Sequence, residues 1–85
     1  MKQFHYIIKE PNGIHAIPAC LLANEARKFK SKIMIQKADK KTDITDLINV
    51  MGLNVKQNDT IMIQVEGIDE TEAAFHMEQI FMGKL

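Results

Sequence analysis

One histidine in this chain stands where a nucleophile is useful. In Glu10-Pro11-Asn12-Gly13-Ile14-His15-Ala16-Ile17-Pro18-Ala19, loop-forming residues run into a helical pattern, and His15 falls at the junction. Pro18 suits a first helical turn, where its missing N–H would have had no partner. The helix is therefore expected to begin at about His15 or Ala16. A side chain there sits beside unpaired backbone N–H groups and the positive end of the helix dipole. Such a place attracts anions, phosphate included. A ring nitrogen of His15 can act as the nucleophile. Gly13 lets the backbone approach closely, and Asn12 can hydrogen-bond the ring and orient it. Asn12, Ala16 and Ile17 would then surround a phosphoryl group on His15. The same residues also fit a plainer reading, a histidine that only caps the helix.

Little else in the sequence offers a reaction centre. There are no paired carboxylates, and no glycine-rich loop that could cradle a phosphate. The three histidines, His5, His15 and His76, show no metal-ligand spacing, so neither a metal nor a cofactor is expected. His5 and His76 read as surface residues, and Met34, Met62 and Met82 as packing. Cys20 is the single cysteine, a small apolar filler that rules out an internal disulfide and suggests a cytoplasmic home. Eleven basic residues balance eleven acidic ones, unlike the basic footprint of a nucleic-acid binder. No apolar run approaches the roughly 20 residues of a membrane span. The start, Met1-Lys2-Gln3-Phe4-His5, lacks the layout of a signal peptide. With 46% apolar residues in 85, one packed core can form. A single domain over residues 1–85, working as a monomer, is the expectation.

The elements that position His15 follow from periodicity. Phe4, Tyr6 and Ile8 alternate as in a half-buried strand. From Ala16 to Lys28 the period changes, and Ala19, Leu22, Ala23, Ala26 and the following Phe29 share a helical face. Ile33 and Ile35 mark a second strand. Ala38-Asp39-Lys40 reads as a tight turn, with Asp39 tolerating the left-handed conformation. Residues 40–44 form the return strand. Asp46 can cap a short helix running to about Leu53, which Asn54 closes in a left-handed turn. Ile61, Ile63 and Val65 alternate as a fourth strand. Asp69 followed by Glu72 resembles a capping box, and Ala73, Ala74, Met77, Ile80 and Phe81 form the buried stripe of a last helix. The order βαββαβα makes an α+β fold, an open-faced sandwich. Its four-stranded antiparallel sheet carries the three helices on one face.

The segment 13–19 is similar to the signature Gly-Ile/Leu-His-Ala-Arg-Pro-Ala of the HPr phosphocarrier family in six of seven positions. Ser31-Lys32-Ile33, Val50-Met51-Gly52-Leu53-Asn54-Val55 and Glu66-Gly67-Ile68-Asp69-Glu70 resemble further landmarks of that family, in order. The resemblance runs the full length without a gap. It implies the same open-faced sandwich, in the phosphoenolpyruvate-dependent sugar phosphotransferase system. It also implies that His15 receives a phosphoryl group from enzyme I and passes it to a IIA component. The amides near Ala16 and Ile17 would hold the phosphoryl oxygens. A docking face for both partners would comprise Ile17, Cys20, Leu21, Leu47, Ile48 and Met51, with Leu21 or Leu47 expected to turn inward.

Two positions depart from the family pattern. Ile17 stands where the family has an arginine that contacts the phosphoryl oxygens. Such a charge-assisted bond contributes roughly 1.5–3 kcal/mol, so its loss would slow transfer about ten- to a hundredfold. Arg27 or Lys56 could compensate. Asp46 stands where many Gram-positive members carry a regulatory serine. Its charge partly imitates phosphoserine, which would favour docking on a catabolite-control transcription regulator. It is also simply a good N-cap.

Overall fold

A computed structural model describes all 85 residues. Seven elements follow in the order β1 (Lys2–Ile7), α1 (Ala16–Ala26), β2 (Lys32–Lys37), β3 (Lys40–Asp43), α2 (Leu47–Gly52), β4 (Thr60–Glu66) and α3 (Glu70–Lys84). The strands form one antiparallel sheet in the order β1-β4-β2-β3. This is the open-faced βαββαβα sandwich that the periodicities imply.

Alternation along the strands decides which face the helices cover. Phe4, Ile63 and Ile35 are register partners across three strands, as are Tyr6 and Ile61 on the next row. All of these side chains point to the helical side. They pack with Leu22, Ala26, Val50, Met77 and Phe81 in one core. Phe81 anchors α3 on the sheet, with its ring 6.0 Å from Phe4 and 5.6 Å from Tyr6. The opposite face is open. Its rows read Gln3-Gln64-Met34-Asp43 and His5-Met62-Gln36-Lys41, polar except for the two half-buried methionines. Lys40 and Lys41 lie on the edge strand β3, where charge discourages a further strand from pairing.

Two local expectations need correction. In the β2–β3 turn the left-handed residue is Ala38, at φ 53°, and not Asp39. The amide of Gln36 donates to the Ala38 carbonyl at 2.8 Å, which helps hold that conformation. The entry to α3 is not a capping box. The Asp69 carboxylate turns away from its own helix and accepts from Lys30 N–H at 2.8 Å, Ser31 N–H at 2.9 Å and the Ser31 hydroxyl. These bonds hold its carboxyl below the usual carboxylate range, the Ser31 hydroxyl contributing most and the Lys30 N–H next. Glu70, not Glu72, reaches back, accepting from Gly67 N–H at 3.2 Å. Tertiary bonding to the start of β2 wins over local capping, and it fixes α3 against the α1–β2 connection.

Candidate functional site

The site forms where the β1–α1 loop meets the segment after α2. Asn54 ends α2 in the left-handed region, at φ 54°. The chain then runs out with the Val55 carbonyl facing the loop, where it accepts from Ile14 N–H at 3.0 Å. Gly13 lies against that carbonyl at φ +63°, and a Cβ there would stand 2.8 Å from Lys56 Cα. Only glycine fits both the conformation and the space. The side chain of Ile14 is buried in the core. Ahead of it, Lys9 and Glu10 N–H donate to the Leu85 backbone oxygen at 2.6 and 2.8 Å, and Asn58 N–H donates to the Ile8 carbonyl at 2.7 Å. Asp59 braces this second segment. It accepts from Lys56 N–H at 2.8 Å and pairs with Lys37 at 2.9 Å. The Lys37 ammonium first, and the Lys56 N–H second, hold its carboxyl below the usual range.

This frame delivers His15 to the N-cap position of α1 in an extended conformation, φ −97° and ψ −168°. The side chain is half-buried, makes no capping bond and has no hydrogen-bond partner in the protein. The capping histidine of the plainer reading is therefore not what forms. Behind it, Ala19 N–H donates to the His15 carbonyl at 3.0 Å and begins the helical ladder. Pro18 has no N–H, and those of Ala16 and Ile17 have no acceptor in the protein. The geometry thus combines an unengaged imidazole with two free donors at the positive end of an 11-residue helix.

Asn12 does not join it. It is exposed, and its only hydrogen bond runs from its backbone N–H to Glu10 Oε1 at 3.3 Å. The backbone frame sets where His15 stands, and no side-chain amide hydrogen-bonds its ring. Arg27 is excluded as a substitute cation, because it caps the far end of α1, about 16 Å along the helix. There it donates to Asn24 Oδ1 and to the Thr45 carbonyl. Lys56 is different: its backbone packs on Gly13, and its side chain is exposed beside the same loop.

The six docking candidates share the α1–α2 surface, where the two helices pack together. Ile17 is 77% exposed and Ile48 83%, extreme values for isoleucine; Met51 and Cys20 are also exposed. Leu21 and Leu47 are both half-buried, and Leu47 leans on the core. At the start of α2, Asp46 acts as the N-cap. Oδ1 accepts from Asn49 N–H at 3.1 Å and Oδ2 from the Asn49 side-chain amide at 2.8 Å.

His76 is not the plain surface residue expected. It is half-buried, with Nε2 2.6 Å from Glu25 Oε1, and it ties α3 to α1 beside the Phe29 ring. Lys28 completes the cluster at 2.9 Å from Glu25 Oε2. Lys28 first, then His76, lowers the Glu25 carboxyl below its ordinary range. The i,i+3 pair Glu25–Lys28 was the only signal in the sequence; the histidine lies 51 residues away. No group of His, Cys, Asp and Glu side chains is placed to hold a metal ion.

Comparison with known proteins agrees with this geometry. Residues 2–82 match the family described as PTS HPr component phosphorylation site. The phosphocarrier protein HPr of Mycoplasma pneumoniae is 46% identical over 74 residues, covering 86% of this chain and 84% of that protein. The solved structure of a Mycoplasma histidine-containing phosphocarrier protein superposes with a TM-score of 0.92 at 35% identity, covering 96% of this chain and 93% of the other. The Bacillus subtilis catabolite repression containing protein Crh, described as a domain-swapped dimer, superposes at 0.78 with 26% identity, covering 100% and 98%.

Proposed function

This chain belongs to the HPr family of phosphocarriers of the phosphotransferase system, and on that footing we propose that His15 takes a phosphoryl group from enzyme I and passes it to a IIA component. The observation that carries the reading is the unengaged, half-buried imidazole beside two unpaired helix N–H groups. A ring nitrogen attacks phosphorus in line. The new N–P bond forms as the bond to the donor breaks, and the phosphoryl oxygens settle toward the N–H groups of Ala16 and Ile17. On delivery the acceptor's nucleophile takes the phosphoryl group and the imidazole leaves. The carrier contributes position and a leaving group, and its partners contribute the rest.

Ile17, Cys20, Ile48 and Met51 offer both partners an apolar surface next to His15, with Leu21 and Leu47 filling in beneath. We take the working form to be a cytoplasmic monomer, since one copy already presents both the histidine and this face. No helix is long and apolar enough to cross a membrane. Incubation with enzyme I and phosphoenolpyruvate should add one acid-labile phosphate to the mass, lost in His15→Ala. No increase with the cognate enzyme I would overturn the reading.

Asp46 favours a second reading. A fixed negative charge stands at the start of α2, next to the docking face. It would let the chain dock on a catabolite-control transcription regulator without being phosphorylated. The likeness to Crh supports such a regulatory role. Asp46→Ser should then weaken that binding; unchanged binding would end the second reading.

A further inference from the structure

α3 carries an apolar stripe that no part of the molecule covers. Phe75 is 67% exposed and Met82 62% exposed, seven residues apart on one side of the helix, and Ile68, seven residues before Phe75 in the turn leading in, is 90% exposed. The helix meets the sheet through its other side, with Ala73, Met77 and Phe81. The stripe therefore contributes nothing to the core. It is also a separate surface from the α1–α2 face, which lies on the other two helices.

Charge decides what could cover it. At 100° per residue, Glu72 and Glu78 lie about 60° to either side of the line through Phe75. Neither is in a salt bridge, whereas Glu70 pairs with the N-terminal ammonium and Glu25 with His76 and Lys28. An apolar ridge is thus fenced on both sides by free carboxylates. A second copy laid antiparallel about Phe75 would set Glu72 beside the partner's Glu72 on one flank and Glu78 beside the partner's Glu78 on the other, like charges on both. An anionic lipid surface meets the same repulsion. We propose that this face of α3 docks a cationic amphipathic protein segment. Its apolar side chains would cover Ile68, Phe75 and Met82, and its Lys or Arg residues would reach Glu72 and Glu78.

The test uses the whole ¹⁵N-labelled protein and a synthetic helical peptide of leucine and lysine with one apolar face. Amide shift changes should fall on residues 68–82 and leave the His15 loop untouched. Phe75→Ser should weaken binding at least about tenfold, and Met82→Gln, a milder change on the same stripe, should act in the same direction. The double variant E72Q/E78Q should weaken it about fivefold, and a leucine–glutamate twin of the peptide should not bind. His15→Ala should bind as well as the parent, which separates this proposal from the phosphocarrier reading. Shift changes confined to α1 and α2, equal binding of the acidic twin, or full affinity in Phe75→Ser would overturn it. So would a concentration-dependent dimer that Phe75→Ser dissolves, or capture by vesicles containing phosphatidylglycerol in preference to the peptide.

Discussion

Gly13 and Val55 meet backbone to backbone, 42 residues apart, and this contact holds the His15 loop to the segment leaving α2. Any side chain at position 13 would strike the Val55 carbonyl and crowd the Lys56 Cα. At φ +63° it would also occupy a backbone conformation that L-residues adopt at about 1–2 kcal/mol. Gly13→Ala should therefore lose about 2–4 kcal/mol of stability in urea unfolding. Phosphoryl acceptance should fall further than the folded fraction does, because the loop that shifts is the one bearing the histidine. Gly52 is the control. It is helical, and a Cβ there meets nothing within 4 Å, so Gly52→Ala should be neutral or gain up to about 1 kcal/mol.

Ile17 leaves the phosphoryl site without a charged donor of its own on α1. Its side chain is 77% exposed, so replacing it should change stability by less than about 0.5 kcal/mol. Ile17→Arg places a guanidinium two residues from His15, beside the free N–H groups. The initial rate of phosphoryl acceptance from enzyme I should rise about ten- to a hundredfold. Lys56→Gln should slow the parent protein but matter little once Arg is present at 17. An unchanged rate in Ile17→Arg would mean that transfer here does not depend on a cation at that position.

The fold was legible because its information is local and periodic. Ile61, Ile63 and Val65 announce a strand by alternation, and Pro18 after a loop announces the start of α1. Asp46 and Asn54 bracket α2 by their conformational preferences alone, and both act as expected. What stayed hidden depends on partners distant in sequence. Asp69 looks like a local cap until the 30–31 peptide units arrive to claim its carboxylate. His76 looks solvated until α1 brings Glu25 to it. At the site, the position of His15 could be read from the junction it occupies. The support from Val55 could not, since a backbone carbonyl has no sequence signature. Asn12 looks able to hydrogen-bond the ring from its place in the loop, yet its side chain makes no such bond.

Asp46 spends both carboxylate oxygens on Asn49. Asp46→Ala should therefore cost about 1 kcal/mol, as lost N-caps do, measurable as a lower urea midpoint. Asp46→Ser keeps a capping oxygen and should stay within about 0.5 kcal/mol of the parent. That separation makes the serine variant the clean probe of the charge. If Asp46→Ser unfolds as early as Asp46→Ala, any loss of partner binding in it reflects a frayed α2 and says nothing of mimicry.

Four carboxylates carry bonds that hold them ionised: Glu25, Asp59, Asp69 and Glu70 all lie below their ordinary values. A carboxyl depressed in the folded state binds its proton less readily there than in the unfolded chain. Its contribution is therefore complete above the ordinary carboxylate range, roughly pH 4–4.5, and is lost as pH falls below it through the folded values. The protein should keep its urea midpoint from pH 7 to about 5 in this respect and lose it progressively on further acidification. Glu25 is the most informative of the four, because its partners lie on different elements, Lys28 in the turn after α1 and His76 on α3. Glu25→Gln should lower the midpoint at pH 7 and flatten the acid limb. His76→Ala should do less of each, since Lys28 is the stronger cause of the Glu25 shift. An acid limb of equal steepness in Glu25→Gln would show that the α1–α3 tie contributes no pH-dependent stability.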